Sequence, residues 1–115
     1  MPQPVIDPAA FAQLQETAGA EFVVELVDTF LVEAPLMLAD LESALAVGDT
    51  DRFRRAAHSL KSNGNTFGAL TLGALARELE LTGLEPARRA GGATLAALAL
   101  EYARVAAALT ELRHA

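Results

Sequence analysis

The chain has 115 residues, of which 52% are hydrophobic and 5% aromatic, with no cysteine and a formal net charge of −6. That length suits one domain with one core, and a leucine- and alanine-rich, aromatic-poor mix favours helices over strands. The missing cysteine excludes disulfides, thiol chemistry and cysteine-ligated metal sites, and the acidic balance argues against nucleic-acid binding.

The opening MPQPVIDPAAF has neither the basic region nor the apolar core of a signal peptide. No uninterrupted apolar run reaches the roughly 18 residues a membrane span needs, so a cytoplasmic domain without a membrane segment is the expectation. Asp7-Pro8 is a helix start: an aspartate N-cap, then proline where a missing N–H costs nothing. Phe11 and Leu14 give this helix an apolar stripe, and Gly19 ends it. A second helix opens near Ala20, with Phe22, Val23, Leu26, Val27 and Phe30 at helical spacing. Pro35 disfavours helix at Ala34 and predicts a break or kink there. A third helix carries Leu38, Leu41 and Leu45 and stops near Gly48.

Asp49, Thr50 and Asp51 cap a further helix running to about Phe67, with Gly68 as its stop. The next begins near Ala69, places Leu72, Leu75 and Leu79 on one face and ends near Gly83. Residues 84–92, LEPARRAGG, read as a connector. In the last helix Leu95, Leu98, Tyr102, Val105, Leu109 and Leu112 form a bundle seam. The pattern predicts an all-α fold: an antiparallel four-helix bundle with additional short N-terminal helices. It reads as a single domain over 1–115, with its core at about 7–112.

The helix from Asp51 to Phe67 holds the interior histidine. At about 100° per residue, Arg54, Arg55, Lys61, Ser62 and Asn65 fall within about 60° of His58. Phe53, Ala56, Ala57, Leu60, Gly64 and Phe67 gather on the opposite side. His58 is therefore expected to stand in solvent, mid-helix, on a polar and basic stripe. A solitary histidine on such a face is commonly just solvated. Here the cations around it disfavour the imidazolium and would stabilise an attached anion. Ser62, one turn on, leaves the approach to the ring open. Gly64 faces the core and suggests close packing of a neighbouring helix.

Other chemistries fit poorly. His58 has no metal-ligating residue at i±3 or i±4, so no metal site is expected. Ser62 lies at i+4, but no carboxylate appears placed to orient the ring for a serine–histidine pair. Neither GxxxxGK[ST] nor GxGxxG occurs, so no nucleotide site or autokinase activity is expected.

The run His58-Ser59-Leu60-Lys61-Ser62-Asn63-Gly64-Asn65-Thr66-Phe67-Gly68-Ala69 resembles the signature of histidine-containing phosphotransfer (HPt) domains, roughly H-x-[LI]-K-[GS]-x-[SAG]-x-x-[LF]-G-[AL]. Upstream, Phe30-Leu31, Pro35, Leu38, Leu41 and Ala44-Leu45 agree with the family, as do Leu75 and Leu79-Glu80 downstream. The resemblance implies a phosphocarrier in a two-component phosphorelay rather than an enzyme. His58 matches the phospho-accepting histidine and Lys61 the basic neighbour that stabilises the phosphoryl group. Ser62 stands where glycine is usual. The implied partner is a response-regulator receiver domain, whose acidic pocket would meet the basic Arg54, Arg55 and Lys61, with Arg54, Arg55, Ser62 and Asn65 as the docking residues. A hybrid histidine kinase is a further candidate partner. No cofactor is expected in the chain itself, Mg²⁺ belonging to the receiver, and a monomer would suffice.

The dimerisation helix of histidine kinases, H-[ED]-[LIF]-[RK]-x-P, does not fit, because Ser59 follows the histidine and the next proline after His58 is Pro86. A free-standing carrier and a module of a larger chemotaxis-type kinase both remain compatible. So does, in another class, an HPt-like bundle that docks receivers without transferring phosphate, although such modules typically lose the histidine.

Overall fold

The computed structural model describes residues 4–114. These contain six helices: α1 (Pro8–Ala18), α2 (Ala20–Val47), α3 (Thr50–Thr66), α4 (Leu70–Thr82), α5 (Leu84–Arg89) and α6 (Ala93–His114). No strand occurs among the described residues. The four longest, α2, α3, α4 and α6, make the bundle, and α1 packs across α2 and α3.

The expected caps form. Asp7 Oδ1 accepts from the Ala9 N–H at 3.1 Å, and Asp49 Oδ1 from the Arg52 N–H at 3.1 Å. Each satisfies a donor that the first helical turn leaves open. Gly48 ends α2 in the left-handed conformation, which a glycine adopts without steric penalty. Gly68 does the same between α3 and α4 with φ +81°, and its carbonyl accepts from the Asp7 N–H at 2.9 Å. The N-terminal segment is thereby pinned to the α3–α4 turn.

The break predicted at Pro35 is absent, and α2 runs unbroken through it for 28 residues. An interior proline costs about 3 kcal/mol. Val23, Val27, Phe30, Ala34, Leu41 and Ala44 lie on both sides of it and are all buried. Each large one contributes about 1.5–3 kcal/mol, so the continuous stripe outweighs the proline, which is itself exposed. Phe22, assigned by its spacing to that stripe, instead stands 50% exposed at the start of α2.

Two further expectations are corrected. The connector 84–92 contains a short helix, α5, because Leu84 and Ala87 are buried against the bundle. The α6 seam buries Leu95, Leu98, Glu101, Val105 and Leu109, whereas Tyr102 is only partly buried and Leu112 is exposed. Glu101 Oε1 lies 3.7 Å from Arg104 Nη1. By length and composition alone α6 is apolar enough to cross a membrane, but its seam belongs to the bundle core.

Aromatic contacts tie together, at one level, α2, the residue that caps the end of α3, and α6. The Phe30 ring centroid lies 5.3 Å from that of Phe67 and 5.9 Å from that of Tyr102. Near the end of α6, Arg113 grips both carboxylate oxygens of Asp28 on α2, with Nη2 2.9 Å from Oδ2. This fork-to-fork geometry holds the Asp28 carboxyl below its ordinary pKa.

Candidate functional site

Helix α3 divides into two faces as its sequence dictates. Phe53, Ala56, Ala57, Leu60 and Gly64 are buried, while Arg54, Arg55, His58, Ser62 and Asn65 are exposed. The His58 side chain is 59% exposed in mid-helix. Burial of the apolar face fixes the rotation of the helix, and that rotation projects the imidazole outward.

The sequence reading found no carboxylate to orient this ring, and the structure supplies one. Glu80, on α4, places Oε2 2.6 Å from His58 Nδ1 and Oε1 2.6 Å from Lys61 Nζ. One carboxylate thus bridges two α3 side chains a single turn apart. The Lys61 bond holds the Glu80 carboxyl below its ordinary pKa of 4.5; burial opposes it, and the smaller contribution of the His58 bond adds to the lowering. An ionised carboxylate can only accept, so His58 Nδ1 is the donor and carries a proton. In the neutral ring Nε2 is then left with its lone pair, on the side away from α4.

Glu80 lies 22 residues from His58. Its pairing could not be read from α3 spacing, which samples only neighbours on the same helix. The one available signal was its place in the downstream Leu79-Glu80 pair. Contact between the helices depends on the packing of α3 against α4, the most extensive helix pair of the fold.

The basic island around His58 is partly neutralised. Arg52 Nη2 lies 2.6 Å from Asp40 Oδ1, with Nη1 3.3 Å from Ser43 Oγ, which ties α3 to α2. Arg55 Nε lies 3.3 Å from Asp51 Oδ2, and Lys61 is held by Glu80. Arg54 is exposed on the same face. A shallow groove beside the histidine, between α2 and α3, is lined by Met37, Asp40, Arg52, Arg55, Ala56 and Ser59. Asn65 lies near His58 in angular position, but its side chain leans over Gly73 of α4. Gly64 meets α4 as expected: a Cβ there would sit 3.5 Å from the Gly73 nitrogen and 3.5 Å from Leu72 Cδ2. Among the described residues no three His, Cys, Asp or Glu side chains converge to hold a metal ion.

An exposed histidine anchored by a carboxylate on a helical bundle is an arrangement compatible with carrying a group on an imidazole. Comparison with known proteins makes that reading specific. The Hpt domain family model matches residues 25–115, and the chain belongs to that family. The fold is similar to the crystal structure of histidine-containing phosphotransfer protein B (HptB) from Pseudomonas aeruginosa PAO1. The match has a TM-score of 0.82 and 30% sequence identity, and covers 98% of this chain and 97% of that one. No curated protein matches in sequence. The chain is a histidine phosphotransfer protein of a two-component phosphorelay, and proteins of this family act as phosphocarriers with receiver domains.

Proposed function

We propose that His58 is the phosphoryl acceptor and donor, and that it reacts through Nε2 with the phosphorylated aspartate of a receiver domain. The observation that carries this reading is the bond from Nδ1 to Glu80. It favours a proton on the inner nitrogen and a lone pair on the outer one.

The exchange balances without an added base. Nε2 attacks phosphorus in line, the N–P bond forms, and the P–O bond to the aspartate breaks with its electron pair leaving on the carboxylate. Nε2 bears no proton in the reactive tautomer, so none has to be removed. The phosphorylated ring keeps its Nδ1 proton and gains positive charge, directly opposite the Glu80 carboxylate. Glu80 therefore orients the ring before attack and stabilises the cation that attack creates, as a carboxylate does behind a catalytic histidine. Return transfer uses the same contacts.

Lys61 holds Glu80 in place and sets a positive charge beside the ring, which favours the phosphoryl oxygens. Arg54, Arg55, Ser62 and Asn65 belong to the face that meets the receiver, and the small Ser62 keeps the approach open. The chain needs no cofactor of its own in this scheme. Mg²⁺ bound in the receiver would supply charge neutralisation at the phosphoryl group. The partner is a receiver domain, free-standing or within a hybrid kinase, and the setting is the cytoplasm.

Incubation with a phosphorylated receiver tests the reading. The wild-type chain should acquire an acid-labile, base-stable phosphoryl group, and His58→Gln should acquire none while keeping its helical circular dichroism. Labelling of the glutamine variant would refute the assignment.

A further inference from the structure

Gly73 sits in the interior of α4, where glycine is about 1 kcal/mol less favourable than alanine. The neighbouring side chain explains why alanine is absent. A Cβ at Gly73 would lie 2.8 Å from Asn65 Cγ and 3.2 Å from Asn65 Nδ2, with Oδ1 closer still. The Asn65 amide thus occupies the volume that a Cβ would fill. The three atoms nearest that point all belong to Asn65 and none to the backbone of α3. A methyl group at 73 would therefore displace the Asn65 side chain rather than part the two helices.

Asn65 is exposed and lies seven residues beyond His58 on nearly the same side of α3. At 1.5 Å per residue it stands roughly 10 Å along the axis from the histidine. A protein partner that buries about 800 Å² centred on His58 covers a disc of about 16 Å radius. Asn65 falls well inside that footprint.

We infer that Gly73 is a notch that stows the Asn65 side chain against α4 and so keeps the phosphotransfer face low enough for a receiver to seat. Ser62 and the stowed Asn65 then leave this side of α3 without a tall side chain beyond the histidine. Filling the notch turns Asn65 outward, into the path of the partner. The inference rests on the phosphotransfer reading above and adds a residue that never touches the phosphoryl group.

The experiment compares Gly73→Ala, Asn65→Ala and the double variant in two reactions. One is transfer from a phosphorylated receiver, which requires docking. The other is labelling by phosphoramidate, a donor too small to sense the face. Gly73→Ala should slow receiver transfer by about 10- to 100-fold, the scale on which displacement by an ångström acts. Its phosphoramidate labelling should be unchanged, and its melting temperature no lower than wild type. Asn65→Ala should be slowed less than Gly73→Ala, and the double variant should transfer at the rate of Asn65→Ala alone, because without the Asn65 side chain nothing is displaced from the notch. Normal receiver transfer by Gly73→Ala overturns the inference, as does a double variant slower than Asn65→Ala alone. An Asn65→Ala variant as slow as Gly73→Ala also overturns it, because Asn65 would then act through its amide. A wild-type chain that accepts no phosphoryl group from receivers or phosphoramidate overturns the phosphotransfer reading instead.

Discussion

Gly64 lies within the signature segment and faces α4, and the space around it decides what a substitution there does. In Gly64→Ala the new Cβ would meet the Gly73 nitrogen at 3.5 Å, Leu72 Cδ2 at 3.5 Å and the Ala69 carbonyl oxygen at 3.6 Å. These are ordinary van der Waals separations, so neither helix has to move. The φ of Gly64 is not positive, so the backbone already suits an L-residue. What remains is the gain in helix propensity, about 1 kcal/mol. For a chain of 115 residues, unfolding entropy near 2.1 cal/mol/K per residue converts that into a rise in melting temperature of about 4 °C. Thermal denaturation followed by far-ultraviolet circular dichroism reads the shift. Receiver transfer should stay at the wild-type rate, because the added methyl is buried on the side opposite His58. A lower melting temperature would refute the reasoning, since it would mean that the α3–α4 crossing needs glycine at 64.

Gly68→Ala should do the reverse. Its φ of +81° penalises any L-residue by about 1–2 kcal/mol, and the new Cβ would press on Ala10 Cβ at 3.0 Å and the Asp7 carbonyl oxygen at 3.1 Å; a melting temperature lower by at least about 4 °C is expected. Glu80→Ala removes the anchor of Nδ1 and should lower receiver transfer by roughly 10- to 100-fold, as loss of an orienting carboxylate behind a ligating histidine does; an unchanged rate would remove Glu80 from the mechanism. Because the Glu80 pKa lies below its ordinary value of 4.5 in the folded chain, the stability it contributes is complete above that value and is lost as pH falls through the lowered one. Melting temperature should therefore fall less steeply with acidification in Glu80→Gln than in wild type, and identical slopes would contradict the ion pairing. Ser62→Arg should block receiver transfer without loss of helical signal, and a normal rate would refute the steric argument.

Most of the frame was legible in the residues. Aspartate caps at Asp7 and Asp49, glycine stops at Gly48 and Gly68, and the two-faced pattern from Phe53 to Phe67 are local signals, and the structure follows them. They suffice to place His58 outward. Pro35 misled because local propensity was weighed without the buried stripe around it. Phe22 misled because spacing alone does not show where a partner surface ends. At the site, the carboxylate behind the histidine escaped because it comes from another helix. Lys61 looked freer than it is for the same reason: it finds its acid on α4. One-dimensional periodicity reports which way a side chain faces, but its partner depends on the register between helices.

The central claim is that His58 carries the phosphoryl group on its outer nitrogen while its inner nitrogen is held by Glu80. Nitrogen-15 NMR of the imidazole, before and after phosphorylation by a receiver, tests it most directly. The unphosphorylated neutral ring should show its proton on Nδ1, and the phosphorylated ring should show the N–P bond at Nε2. A bond at Nδ1, or a His58 ring unchanged while phosphoryl label accumulates elsewhere, would contradict the account.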